Sequence, residues 1–123
     1  MEERKERGRQ AREQVLGAEQ VAANPPREDA FNKPFSDLLL EYCWGTVWAD
    51  DALPKRTRSL INIAILAAMN RQPQFRTHLK AAVNNGCTLE EIQAALIQVS
   101  VYCGIPAGSE AFRQARETLE LES

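Results

Sequence analysis

The sequence predicts an all-α domain of about six helices, and three observations predict it. Apolar residues recur at helical spacing through most of the chain, as in Ile92, Ala95, Leu96 and Val99. No stretch alternates apolar and polar residues between turn residues for long enough to read as a strand. Glycine, proline and one capping sequence fall where such helices would start and stop. A chain of 123 residues is one domain by length. Residues 1–34 read as an N-terminal helix and loop, and residues 35–121 as the helical core.

The first element, Glu2 to Leu16, is highly charged with few apolar positions, so it reads as a surface or partner-dependent helix that stops near Gly17. From Ala18 to Pro34 the chain is loop-like, with Pro25, Pro26 and Pro34 as breakers and a short turn at Gln20 and Val21. Phe35 to Trp48 follows as a helix with Leu38, Leu39 and Tyr42 on its apolar stripe and Gly45 as a weak point. Glu41 in this helix reads as a surface residue.

Pro54 opens the next helix, which runs to Asn70 and is the most apolar of all, with Leu60, Ile61, Ile63, Ile65 and Leu66. A helix apolar almost all round must be covered on every side, which points to self-association. A fourth helix spans Gln72 to Asn85 and stops at Gly86. Thr88-Leu89-Glu90-Glu91 is a capping box: the Thr88 hydroxyl and the Glu91 carboxylate each take up a backbone N–H that the first turn leaves unpaired. That helix turns Ile92, Ala95, Leu96, Val99 and Tyr102 inward and ends at Gly104. Pro106 opens a last helix toward Leu121, with Phe112, Ala115 and Leu119 on one face.

Composition excludes several classes of function. The net charge of −2 gives no pull toward nucleic acid, and the mixed signs of Arg4, Lys5, Arg7, Arg9 and Arg12 among glutamates describe a solvated face. The longest apolar run, Ile63 to Met69, is far short of the ~20 residues that span a bilayer. The charged start lacks the apolar segment of a secretory signal, so a cytoplasmic protein is expected. Cys43, Cys87 and Cys103 are odd in number and far apart, and His78 is the only histidine. Neither a zinc site nor a disulfide framework is expected, and the thiols read as reduced and mostly buried.

Several phrases in order resemble the carboxymuconolactone decarboxylase family. They are Tyr42 to Trp48 (YCWGTVW), Leu53 to Leu60 (LPKRTRSL), Phe75 to Thr88 (FRTHLKAAVNNGCT), Glu90-Glu91-Ile92 and Tyr102 to Ala107 (YCGIPA), with Arg12 to Gly17 (REQVLG) upstream. The resemblance covers nearly the whole chain. It implies an alkylhydroperoxidase D-like helical bundle that assembles as a trimer or hexamer. It also implies cofactor-free and metal-free decarboxylation of 4-carboxymuconolactone, a dicarboxylate lactone, to 3-oxoadipate enol-lactone in the protocatechuate branch of the β-ketoadipate pathway. The thiol reductants of the same broad family carry CxxCxxxH and an earlier glutamate. With His78 as that histidine, the cysteine positions hold Arg71 and Gln74 and the glutamate position holds Ser59. A paired attacking and resolving thiol is therefore missing.

The implied substrate carries its own electron sink, the lactone carbonyl conjugated through the ring double bond, so no cofactor motif is needed. Its enzyme must hold a dianion, stabilise charge on the lactone oxygen and deliver a proton to ring carbon. His78 is the first candidate for proton donor or oxyanion partner, since no other side chain here titrates near neutrality when unperturbed. It shares a helix face with Phe75, Leu79 and Ala82, which equally suits a satisfied core histidine. Arg58 and Arg76 are candidates for the carboxylates, because a guanidinium grips them bidentately; both also suit a solvated helix surface. Arg76 lies about 200° round the helix from His78. Trp44 and Trp48, four apart, and Tyr102, one turn before the Gly104 break, are either pocket walls or packing. Two other readings stay open: a relative acting on another small acid or a peroxide, and a non-catalytic helical assembly protein.

Overall fold

The computed structural model describes residues 2–25 and 27–122; Pro26, one of the expected breakers, lies outside the described residues. They form seven α-helices and one π-helical segment, and none of them is in a strand. The chain divides into two compact units, Met1–Lys55 and Arg56–Ser123. Among the described residues no helix is long and apolar enough to cross a membrane.

In the first unit α1 (Glu2–Leu16) is followed after Gly17 by a short α2 (Ala18–Ala23), where the sequence suggested only a turn. Helix α3 (Lys33–Leu38) passes directly into a π-helical segment (Leu39–Trp48). The helix expected over 35–48 is therefore present but more loosely wound. Its wider winding is visible in Thr46, whose hydroxyl donates to the Glu41 carbonyl five residues back at 2.7 Å.

Gly45 does not break this segment; it allows α1 to touch it. A Cβ on Gly45 would lie 2.5 Å from the Arg4 carbonyl oxygen, and one on Gly8 would lie 2.2 Å from that of Leu40. The two backbones thus meet where neither carries a side chain. Around that crossing Ala11, Val15, Trp44 and Trp48 are buried. The charges of α1 are used at its flanks. Lys5 Nζ lies 3.2 Å from Asp37 and 3.9 Å from Glu41, and Arg7 Nε donates to the Gly45 carbonyl at 3.3 Å. Glu41 is therefore a half-buried partner of Lys5 and not a surface residue, and α1 finds its partner within the chain.

The second unit comprises α4 (Lys55–Ala68), α5 (Gln72–Asn84), α6 (Leu89–Cys103) and α7 (Ile105–Thr118). Asn70 takes a left-handed φ of 57° between α4 and α5. The Thr88–Glu91 capping box forms in full: Glu91 N–H donates to Thr88 Oγ1 at 3.1 Å and Thr88 N–H to Glu91 Oε1 at 2.8 Å. The other Glu91 oxygen pairs with Arg56, which ties the start of α4 to the start of α6. Only Gly104, at φ 107°, separates α6 from α7. Gly108 of α7 sits against Ser100 of α6, where a Cβ would lie 1.9 Å from the hydroxyl oxygen. The core gathers Ile63, Phe75, Leu79, Ile92, Leu96 and Val99 with Ala111 and Ala115. Each of the large ones contributes about 1.5–3 kcal/mol by leaving water.

Candidate active site

Helices α4 and α5 are joined by two polar contacts one turn apart. Asn85, just beyond α5, donates its side-chain N–H to the hydroxyl of the fully buried Ser59 at 2.9 Å. Three residues further along α4, Asn62 Nδ2 lies 3.3 Å from His78 Nδ1 and 3.4 Å from Nε2. An amide N–H donates only to a ring nitrogen that carries a lone pair, so this pairing requires a neutral imidazole. Burial acts in the same direction, pushing the His78 pKa from 6.5 down to about 4. Desolvation disfavours the charged form of a base, and His78 is neutral at pH 7. Arg58, half-buried, precedes Asn62 by one turn and lies on the same face of α4. Arg58, Asn62 and His78 thus form a short polar strip on the α4–α5 pair, with Phe75, Leu79 and Ala82 sealing the core beneath.

The other candidates are placed elsewhere. Arg76 does not join His78. Its guanidinium donates to Gln114 Oε1 at 2.6 Å, and Gln114 in turn donates to Glu110 at 3.0 Å. Glu110 also accepts from Gln72 at 3.3 Å, so Arg76 belongs to a clamp between α5 and α7. The 200° between Arg76 and His78 makes this separation unavoidable. Tyr102 is not inward: it is 82% exposed. Ser100 faces α7 through Gly108, and a residue two further on points the other way round α6. Tyr102 instead lines an apolar groove of about 630 Å³ with Leu60, Ile61, Ala64 and Ile65 of α4 and Ala95 of α6. Trp44 and Trp48 are buried in the first unit with ring centroids 5.7 Å apart and planes tilted by 30°.

The cysteines are all free. Burial raises the pKa of Cys43 and of Cys87, keeping both as thiols, and Cys87 Sγ donates to the Arg56 carbonyl at 3.3 Å. Cys103 is exposed, contrary to the expectation of mostly buried thiols. Among the described residues no three His, Cys, Asp or Glu side chains gather where they would hold a metal ion. Asn62 was the residue that sequence reasoning missed. Its signal was a lone amide inside an apolar helix, one turn after Arg58.

Among the described residues, all in helices, turns or loops, a half-buried neutral imidazole beside an amide, with an arginine on the same helix face as that amide, has the makings of an acid–base site. Residues 33–117, from α3 through α7, match the carboxymuconolactone decarboxylase family, and the chain belongs to that family. It is 36% identical over 119 residues to 4-carboxymuconolactone decarboxylase of Acinetobacter baylyi, covering 97% of this chain and 89% of that one. It is also 33% identical over 112 residues to nitrosuccinic acid decarboxylase of Metarhizium robertsii, covering 91% of this chain and 78% of that one. Peroxisomal protein 2 of Saccharomyces cerevisiae is 36% identical over 81 residues, which are 60% of this chain and 29% of that one. The first two, both decarboxylases by name, support a carboxy-lyase.

Proposed function

We propose that this protein decarboxylates 4-carboxymuconolactone to 3-oxoadipate enol-lactone, without a cofactor, in the protocatechuate branch of the β-ketoadipate pathway. What carries this reading is the likeness to the Acinetobacter baylyi enzyme, which runs over 97% of this chain and so takes in the polar strip of α4 and α5. Loss of carbon dioxide from the saturated ring carbon leaves an electron pair that moves through the ring double bond onto the lactone oxygen. A proton then adds to the carbon beside the carbonyl, giving the enol-lactone. Arg58 holds a carboxylate of the dianion. His78, neutral in the free protein, donates an N–H to the lactone oxygen as charge gathers there. A pKa of about 4 makes oxyanion stabilisation the role His78 fills without first taking up a proton. Asn62 fixes the ring.

The test is carbon dioxide release and enol-lactone formation from freshly made 4-carboxymuconolactone, in the presence of a chelator. Metal-independent turnover that falls by about a hundredfold in His78→Ala is the expected result. Wild-type-like turnover in that variant would sink the role given to His78. A second reading rests on the Metarhizium robertsii relative: nitrosuccinate also bears a carboxylate next to a carbon whose electrons a neighbouring group accepts. Running nitrosuccinate in parallel decides between the two substrates.

The working form in this reading is a cytoplasmic homo-oligomer, a trimer or hexamer. Support comes from the uncovered apolar surface of the second unit: Ile61 and Ile65 of α4, and Val101 and Tyr102 of α6, are all exposed. Sedimentation at micromolar concentration is expected to give an assembly, and a monomer would remove this part of the proposal.

A further inference from the structure

The first unit contains a cavity of about 120 Å³ that the proposed reaction does not use. It is lined by Arg12, Arg27, Asn32, Ser36, Leu39 and Trp44. A water's share of liquid volume is ~30 Å³, so the space suits a molecule of a few heavy atoms.

Its charges are unevenly matched. Arg27 is exposed and lies 3.6 Å from Asp29, its own counter-ion. Arg12 is half-buried and donates at 2.8 Å to the Asn24 carbonyl, a neutral acceptor. Among the described residues no ion pair involves Arg12, whereas Lys5, Lys33, Arg56 and Arg113 each face a carboxylate. Burial accordingly lowers the Arg12 pKa below the ordinary arginine value. A partly desolvated cation with no anion opposite is an unfinished pair. Also on the wall, Asn32 Nδ2 donates to Ser36 Oγ at 3.1 Å and Ser36 Oγ donates to the Arg27 carbonyl at 3.0 Å, so these polar groups already have partners and Arg12 is the charge left to match. The rest of the lining, Leu39, Leu40 and the Trp44 indole, is apolar.

We propose that this cavity binds a small monocarboxylate with a compact apolar body, its carboxylate paired with Arg12 and its carbon chain against Leu39, Leu40 and Trp44. One unbalanced cation calls for one negative charge. A bare phosphate or sulfate would leave the apolar wall unmatched. The site lies within the first unit and stands independently of the decarboxylase reading.

The two tryptophans of the chain are both in this unit, and Trp44 forms part of the wall, so fluorescence of the full-length protein reports on occupancy. Butyrate is the probe, with butyramide as its neutral counterpart and inorganic phosphate as the bare anion. Butyrate is expected to give a saturable change that butyramide does not reproduce. Arg12→Gln should weaken it by about tenfold or more, the usual loss for a charge-assisted hydrogen bond. Ser36→Leu fills the cavity while keeping Arg12, and should abolish the change; it serves also if Arg12→Gln fails to fold by circular dichroism. Arg113→Gln, outside this unit, should bind as the wild type does. A change linear in concentration, an equal response to butyramide, tighter binding of phosphate, or full affinity in folded Arg12→Gln and Ser36→Leu would each overturn the proposal.

Discussion

Helix α1 is dense in charge and α4 is dense in apolar residues, yet α1 is the one whose contact line is fully closed. Gly8, Ala11 and Val15 are buried along it, and Lys5 and Arg7 at its flanks reach partners on α3 and the π-helical segment. Ile61 and Ile65 of α4 remain 45% and 46% exposed. The difference shows that composition decides how much surface a helix wishes to bury, whereas backbone approach decides whether it can. A narrow line of small residues lets α1 come close enough for its charged flanks to meet their partners. Helix α4 has ample apolar surface and more faces than the second unit covers.

The comparison can be broken most directly at Gly8. Gly8→Val forces a branched side chain into a space where even a Cβ would meet the Leu40 carbonyl, and is expected to cost about 3 kcal/mol. Urea unfolding followed by tryptophan fluorescence measures it, because both indoles lie in the first unit. A cost no larger than that of an ordinary surface substitution would mean that close approach does not hold this unit together.

The second unit is probed through His78. Its pKa is about 4 when folded and 6.5 when unfolded, so the unfolded chain binds the extra proton between those values. The contribution of the neutral histidine is thus fully present above pH 6.5 and is lost as pH falls through 4. Between pH 7 and 4.5 it should amount to about 2 kcal/mol. The difference in unfolding free energy between wild type and His78→Gln across that range isolates it from the carboxylates, which titrate in both proteins. The smallest effect is expected at Thr88→Ala, which removes half of the capping box and should cost about 1 kcal/mol, read from the urea midpoint.

The same contrast explains what was legible in the sequence. The four helices of the second unit follow ordinary 3.6-residue periodicity between Asn70, Gly86, the Thr88 box and Gly104, and their positions could be read to within two or three residues. The π-helical segment could not. It coincides with the close approach of Leu40 and Gly45 to α1, a contact distant in sequence, and Gly45 alone looked like a defect. Of the site, His78 and Arg58 stood out by residue type. The Asn62 contact depends on how α4 crosses α5, which periodicity does not encode. Tyr102 was misjudged because three-four spacing identifies a stripe without saying where the neighbouring helices stop covering it.

The single-residue joint at Gly104 has a kinetic consequence. Because α6 and α7 are adjacent in sequence as well as in space, bringing them together closes almost no loop and loses little chain entropy. Contacts such as Ser100 with Gly108 are local, and local contacts are the ones that form on the microsecond scale. The α6–α7 hairpin is therefore expected to form early in the folding of the second unit, ahead of the longer-range pairing of Asn62 with His78, and slower refolding of Gly108→Ala in stopped-flow circular dichroism would check it.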